Sequence, residues 1–165
     1  MKLHPHQQRE LAFLTQHPRA LLLSQTGTGK TPVLLTHAGR CLQAGGTVLW
    51  ITETGLRHQL ETEAELWLAA DQQPVPLEKV KVKKQRGKLV ACTSHKDAKP
   101  VRFIQASHHL VSKRLGVLHW LQPDLVIVDE AANVKGRSGI SEAVTELTSR
   151  ADQVVLATAT PSSTT

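Results

Sequence analysis

Tyrosine is absent from the 165 residues, and only three tryptophans and two phenylalanines occur. So few aromatic faces argue against a protein that stacks the bases of a single strand, and leave phosphate contacts as the route to any nucleic acid. Cysteine is scarce as well. Cys41 and Cys92 fit no metal-ligand spacing and cannot make a disulfide framework, so they read as buried thiols in a reducing compartment. No stretch approaches the roughly 18 apolar residues of a membrane span. The opening Met1-Lys2-Leu3-His4-Pro5-His6 lacks the apolar run of a signal peptide. A cytoplasmic protein is therefore expected, or a nuclear one in a eukaryote, with no membrane partner. No fixed period recurs, which excludes a repeat array. The hydrophobic share of 40% excludes disorder and suffices, at this length, for one self-contained core.

Acidic residues are missing from one stretch in particular. The net charge is +6, and between Lys79 and Arg102 nine basic residues face only Asp97. Such clustering suits a polyanion. A solvated hairpin that protects its edge with lysines fits equally well.

Short β-rich runs alternate with helical patterns, the signature of an α/β fold with a mostly parallel sheet and helices on both faces. The spacing predicts a helix over 7–16, with Pro5 in its first turn. Ala20–Leu23 is a continuous apolar run and predicts a strand buried on both faces. A helix from Lys30 to Gln43 should stop at Gly45-Gly46. Thr47–Thr52, Val101–Ala106, Leu125–Val128 and Val154–Ala157 predict further strands. Leu56, Leu60, Ala64 and Trp67 mark one face of a third helix, and Ile140, Ala143, Val144 and Leu147 another. Ser107–Trp120 should be helical with a break near Gly116. Residues 73–100 hold the basic segment and predict a strand or hairpin. No linker interrupts the chain, so a single domain over 1–165 is expected.

Between the first strand and the second helix lies Ser24-Gln25-Thr26-Gly27-Thr28-Gly29-Lys30-Thr31, the context a phosphate loop requires. Gly27 and Gly29 let the backbone wrap a triphosphate, with amide N–H groups and a helix N-terminus facing its oxygens. Lys30 adds positive charge for the β and γ phosphates, and the Thr31 hydroxyl can ligate Mg²⁺. Ser24 stands where the strict pattern has glycine. Asp129-Glu130 ends the apolar strand at 125–128, where open parallel sheets place ligand residues. Asp129 can hold hydrated Mg²⁺, and Glu130 can orient and deprotonate an attacking water. The second carboxylate favours hydrolysis over phosphoryl transfer, although a phosphate-loop kinase also fits these two elements. Nine histidines include His4/His6 and His108-His109, but no acidic or thiol partner stands at zinc-like spacing.

Three segments in order resemble motifs I, II and III of superfamily 2 helicases: Gln25–Thr31, Asp129-Glu130-Ala131-Ala132 and Thr158-Ala159-Thr160-Pro161. Leu3-His4-Pro5-His6-Gln7 is similar to the adenine-recognising glutamine motif of Swi/Snf-type DNA translocases, and Asp129–Lys135 to their extended motif II. Ile51–Leu56 and Ala106-Ser107-His108 resemble motifs Ia and Ib. The resemblance implies a RecA-like first lobe that binds ATP and Mg²⁺ and couples hydrolysis to movement on nucleic acid, DNA rather than RNA. It implies that Gln7 reads adenine, that Gln25, Thr26, Gly27, Thr28, Gly29, Lys30 and Thr31 hold the nucleotide, and that Thr31 and Asp129 serve the metal. Lys30, Asp129 and Glu130 would run the chemistry, and Thr158 and Thr160 would couple it to the nucleic-acid side. Thr54, Gly55 and Ser107 would contact a phosphate backbone. The basic Lys81, Lys83, Lys84, Arg86 and Lys88 are added from the charge pattern.

Two departures stand out. Ala132 replaces the family's usual histidine, removing one polar link toward motif III. The chain stops at Thr165, just past that motif, so the second RecA-like lobe and its arginine finger are expected in trans, or lost. The competing expectation is a stand-alone lobe that binds ATP and DNA without turnover.

Overall fold

A computed structural model describes residues 2–24, 29–85, 87–93, 100–134, 136 and 138–159. Helix α1 (Pro5–Gln16) begins on its proline, whose missing N–H costs nothing in a first turn. It leads into β1 (Arg19–Leu23), and α2 (Lys30–Gln43) follows. Gly45 at φ +90° ends α2, and the Gly46 N–H turns back to the Cys41 carbonyl at 2.9 Å. Next come β2 (Val48–Thr52), α3 (Arg57–Trp67) and the two-residue β3 (Val75–Pro76). The basic segment forms β4 (Lys81–Gln85) and β5 (Lys88–Cys92). Then follow β6 (Phe103–Ser107), α4 (His108–Lys113), α5 (Leu115–Leu121), β7 (Leu125–Asp129), α6 (Ser138–Arg150) and β8 (Gln153–Thr158).

Six strands form one parallel sheet in the order β1-β8-β7-β2-β6-β3. β4 and β5 pair antiparallel, so the alternating lysines do make a hairpin. Leu22, Trp50, Phe103, Ile127 and Val155 point to the side covered by α1, α2 and α3. Leu49, Ile51, Ile104, Val126 and Val154 point to the other side, with Val111, Leu118, Ala143 and Leu147 of the last three helices. β2 and β6 are buried along their whole length. A fully buried aliphatic side chain contributes about 1.5–3 kcal/mol, so each of these strand residues adds substantially to stability.

Two expectations change. β1 is not buried on both faces: it lies at the sheet edge, where Leu21 and Leu23 are about half exposed and only the α1/α2 side is covered. The helical break falls at Arg114 rather than Gly116. No helix among the described residues is long and apolar enough to cross a membrane.

Candidate active site

The carboxyl ends of three adjacent strands build the site. β8 lies between β1 and β7, with Thr158 in register with Leu23 and Ala157 in register with Asp129. The segments leaving β1 and β7 therefore flank the end of β8. Gln25, Thr26, Gly27 and Thr28 lie outside the described residues, but both shoulders of their loop are placed. On the near side Ser24 is buried, and its hydroxyl donates to Glu10 of α1 at 2.8 Å. On the far side Gly29 adopts φ +78°, a conformation L-residues avoid, and Lys30 opens α2 directly behind it.

Lys30 Nζ donates to Glu130 Oε1 at 3.1 Å in the lining of a cavity of about 400 Å³. Gly29, Thr31 and Asp129 line it with them. Glu130 itself has φ +52°, rare for a residue with a side chain and a mark of functional constraint. Its N–H donates to Asp129 Oδ1 at 3.1 Å, and its carbonyl accepts from Asn133 at 2.9 Å. Burial raises the Asp129 carboxyl above the usual carboxylate range. Lys30 pulls it down, while Glu130 and Glu63 push it further up. A half-buried carboxylate and a threonine hydroxyl lining one cavity are hard-oxygen donors suited to Mg²⁺. The residues thus fit a nucleotide phosphate group and its metal.

Gln7 is buried in α1 and turned onto the loop: its Nε2 donates to the Gly29 carbonyl at 3.0 Å, and its Oε1 accepts from the His4 N–H at 2.8 Å. α1 therefore holds both shoulders of the phosphate loop, through Glu10 and Gln7. Thr158 is buried at the end of β8, and its carbonyl faces the Ser24 N–H at 3.4 Å. Thr160 lies outside the described residues, as do Lys135 and Arg137.

Thr54 and Gly55 stand in a short turn after β2, and Ser107 ends β6 in register with Thr52. Thr54 and Gly55 share a cavity of about 210 Å³ with Glu53, His108 and His109. Asn133 Nδ2 donates to Glu53 Oε1 at 2.6 Å, tying the acidic turn to this loop. The basic hairpin is elsewhere. Val82, Val90 and Ala91 line a cavity with Thr47 and Arg102, the residues that enter β2 and β6. Lys81, Lys83, Lys84 and Lys88 thus belong to the amino ends of the strands, a strand length of roughly 16 Å from Thr54, Gly55 and Ser107. Arg86 lies outside the described residues. No group of three or more His, Cys, Asp or Glu side chains among the described residues could hold a metal ion by itself.

Sequence reasoning missed several neighbours of the site. Glu10, Glu53 and Asn133 make contacts across long sequence separations that no local pattern marks. Trp50, Gln59 and Glu63 read as core and helix surface but line the cavity.

A parallel sheet with a helix-opening lysine facing an acid pair, one strand between them, defines a RecA-like nucleotide-binding domain. The sequence matches the DEAD/DEAH box helicase family over residues 4–165, and the chain belongs to that family. It is a helicase-type ATP-binding domain, and the family uses ATP, generally with Mg²⁺. This sets aside the kinase alternative. Three solved structures share the fold. The SWI2/SNF2 ATPase core of Sulfolobus solfataricus in complex with dsDNA superposes with a TM-score of 0.73 at 17% identity, covering 98% of this chain and 32% of that one. The UvsW helicase of bacteriophage T4 gives 0.71 at 14%, covering 97% and 53%. A further T4 UvsW structure gives 0.73 at 13%, covering 97% and 30%. The chain thus spans between about a third and a half of those proteins. The expected likeness to a superfamily 2 first lobe holds at the level of fold. No curated protein matches the sequence.

Proposed function

We propose that residues 1–165 are the first lobe of a DNA-dependent ATPase that couples ATP hydrolysis to movement along nucleic acid. The observation that carries this reading is the Lys30–Glu130 pair at 3.1 Å in a cavity also lined by Thr31 and Asp129. It supports a site in which the base holds the cation until phosphate takes it over.

Lys30 and the N–H groups at the start of α2 supply the field for the phosphates. When triphosphate takes over Lys30, Glu130 is released from its ion pair and is left to accept a proton from water. Asp129 and Thr31 would hold Mg²⁺, which when bound neutralises charge on the phosphate oxygens. Gln7 reads the adenine edge, and its bond to Gly29 makes the loop sense whether the base is present. Thr158 and Thr160, with the Asn133–Glu53 link, carry nucleotide state toward Thr54, Gly55 and Ser107, which meet a phosphate backbone. The dsDNA in the Sulfolobus complex supports DNA as the polymer.

No arginine among the described residues lines the catalytic cavity. Under the proposed reading a second RecA-like lobe supplies one, in trans or from another segment. An arginine finger is worth about 10³–10⁵ in rate, so the 165 residues alone should bind Mg·ATP and turn it over very slowly. Steady-state hydrolysis with and without duplex DNA, beside Glu130→Gln, tests this. Slow turnover that Glu130→Gln abolishes is expected. Turnover of about one per second, within the usual range of complete enzymes, from dilute monomer would contradict the need for a second lobe. Mg·ATP binding with no turnover at any DNA concentration would favour the stand-alone, non-catalytic lobe.

A further inference from the structure

Five residues that line the cavity have no part in the roles above. Trp50, Leu56, Gln59, Leu60 and Glu63 are contributed by β2, the turn after it and α3. Trp50 is fully buried, and its indole N–H has no hydrogen-bond partner among the described residues. Thr52 Oγ1 and Gln105 Oε1 are also buried without partners on the same sheet face, and Gln105 is in register with Trp50. An unpaired buried polar atom costs on the order of 1–3 kcal/mol, so such groups in native proteins are met by ordered water or ligand. Glu63 is held by Gln59, whose Nε2 donates to Glu63 Oε1 at 3.0 Å. That leaves the second carboxylate oxygen of Glu63 free to accept. Its charge is close enough to be felt at Asp129.

Building on the nucleotide-site reading above, we propose that Glu63 is a positioning residue for the divalent cation. It accepts a hydrogen bond from the cation's water shell. Mg²⁺ gives up its waters reluctantly and is commonly held through one or two direct carboxylates, the rest of its shell being water. Those waters need acceptors beyond the direct ligands, and Glu63 lines the same cavity as Asp129 and Glu130. Outer-sphere partners of this kind typically change metal affinity by about 10–100-fold when removed.

The test follows binding of an N-methylanthraniloyl-ADP probe to the full chain while Mg²⁺ is titrated in from EDTA. In Glu63→Gln, the Mg²⁺ concentration at half-effect should rise by about tenfold or more, while probe affinity in EDTA stays at the wild-type value. Glu63→Asp should restore part of the loss. An unchanged Mg²⁺ midpoint in Glu63→Gln would overturn the proposal alone. So would equal weakening with and without Mg²⁺, which would mark Glu63 as structural. If the wild type bound no probe at all, the nucleotide-site reading would fall first and the role of Glu63 with it.

Discussion

Replacing Gly29 by alanine measures how the phosphate loop is held open. At φ +78° an L-residue costs about 1–2 kcal/mol. The added methyl would also sit 2.5 Å from Gln7 Nε2. That atom ends a flexible side chain, so Gln7 can swing aside without moving backbone, but it then loses its 3.0 Å bond to the Gly29 carbonyl. A hydrogen bond of this kind is worth about 0.5–1.5 kcal/mol. Together the two effects predict a loss of about 2–3 kcal/mol, or roughly 5–10 °C in melting temperature for a chain of this size. Urea denaturation of Gly29→Ala, Gln7→Ala and the double variant separates them. In the Gln7→Ala background only the backbone strain remains, so Gly29→Ala should cost about 1 kcal/mol less there than in wild type. A Gly29→Ala protein within about 0.5 kcal/mol of wild type, the range of an inconsequential surface change, would refute the reasoning. An identical penalty in both backgrounds would refute the Gln7 contact.

Further outcomes concern charge. Burial raises the Asp129 pKa, so the folded protein binds this proton more readily than the unfolded chain, and stability falls as pH rises through the folded-state value. Asp129→Asn should therefore be more stable than wild type at neutral pH, with the gap closing toward acid in denaturant titrations at several pH values. A constant gap would remove burial as the cause. Neutralising Lys81, Lys83, Lys84, Arg86 and Lys88 should weaken DNA binding regardless of sequence. It should also reduce the salt slope by about one per lost contact. An unchanged log K against log[salt] line would mark the hairpin as a solvated edge.

Much of this was legible in the sequence because its signals are local. Alternating apolar runs and helical faces located almost every strand and helix, and Gly29, Lys30, Asp129 and Glu130 marked the candidate site. What escaped depended on neighbours. The run Ala20–Leu23 looks like a central strand, but hydrophobicity cannot report that β1 pairs with β8 alone and keeps Leu21 and Leu23 half exposed. β3 was invisible because Pro76 argues against a strand, and only an edge position tolerates it. The alternating lysines revealed the hairpin, but not that it sits at the amino ends of the strands, away from Thr54 and Ser107. Glu63 looked like helix surface and Trp50 like core. Their shared cavity exists only once α3 is laid across β2.

The most direct test of the central claim is a titration of a fluorescent ATP analogue with Mg²⁺ against wild type and Lys30→Ala, each checked for an intact fold by circular dichroism. Lys30 supplies the positive charge that Glu130 holds at 3.1 Å, and nothing in the sheet depends on it. The account predicts saturable binding by wild type and its loss in a folded Lys30→Ala protein. Equal affinity in the two proteins would contradict it.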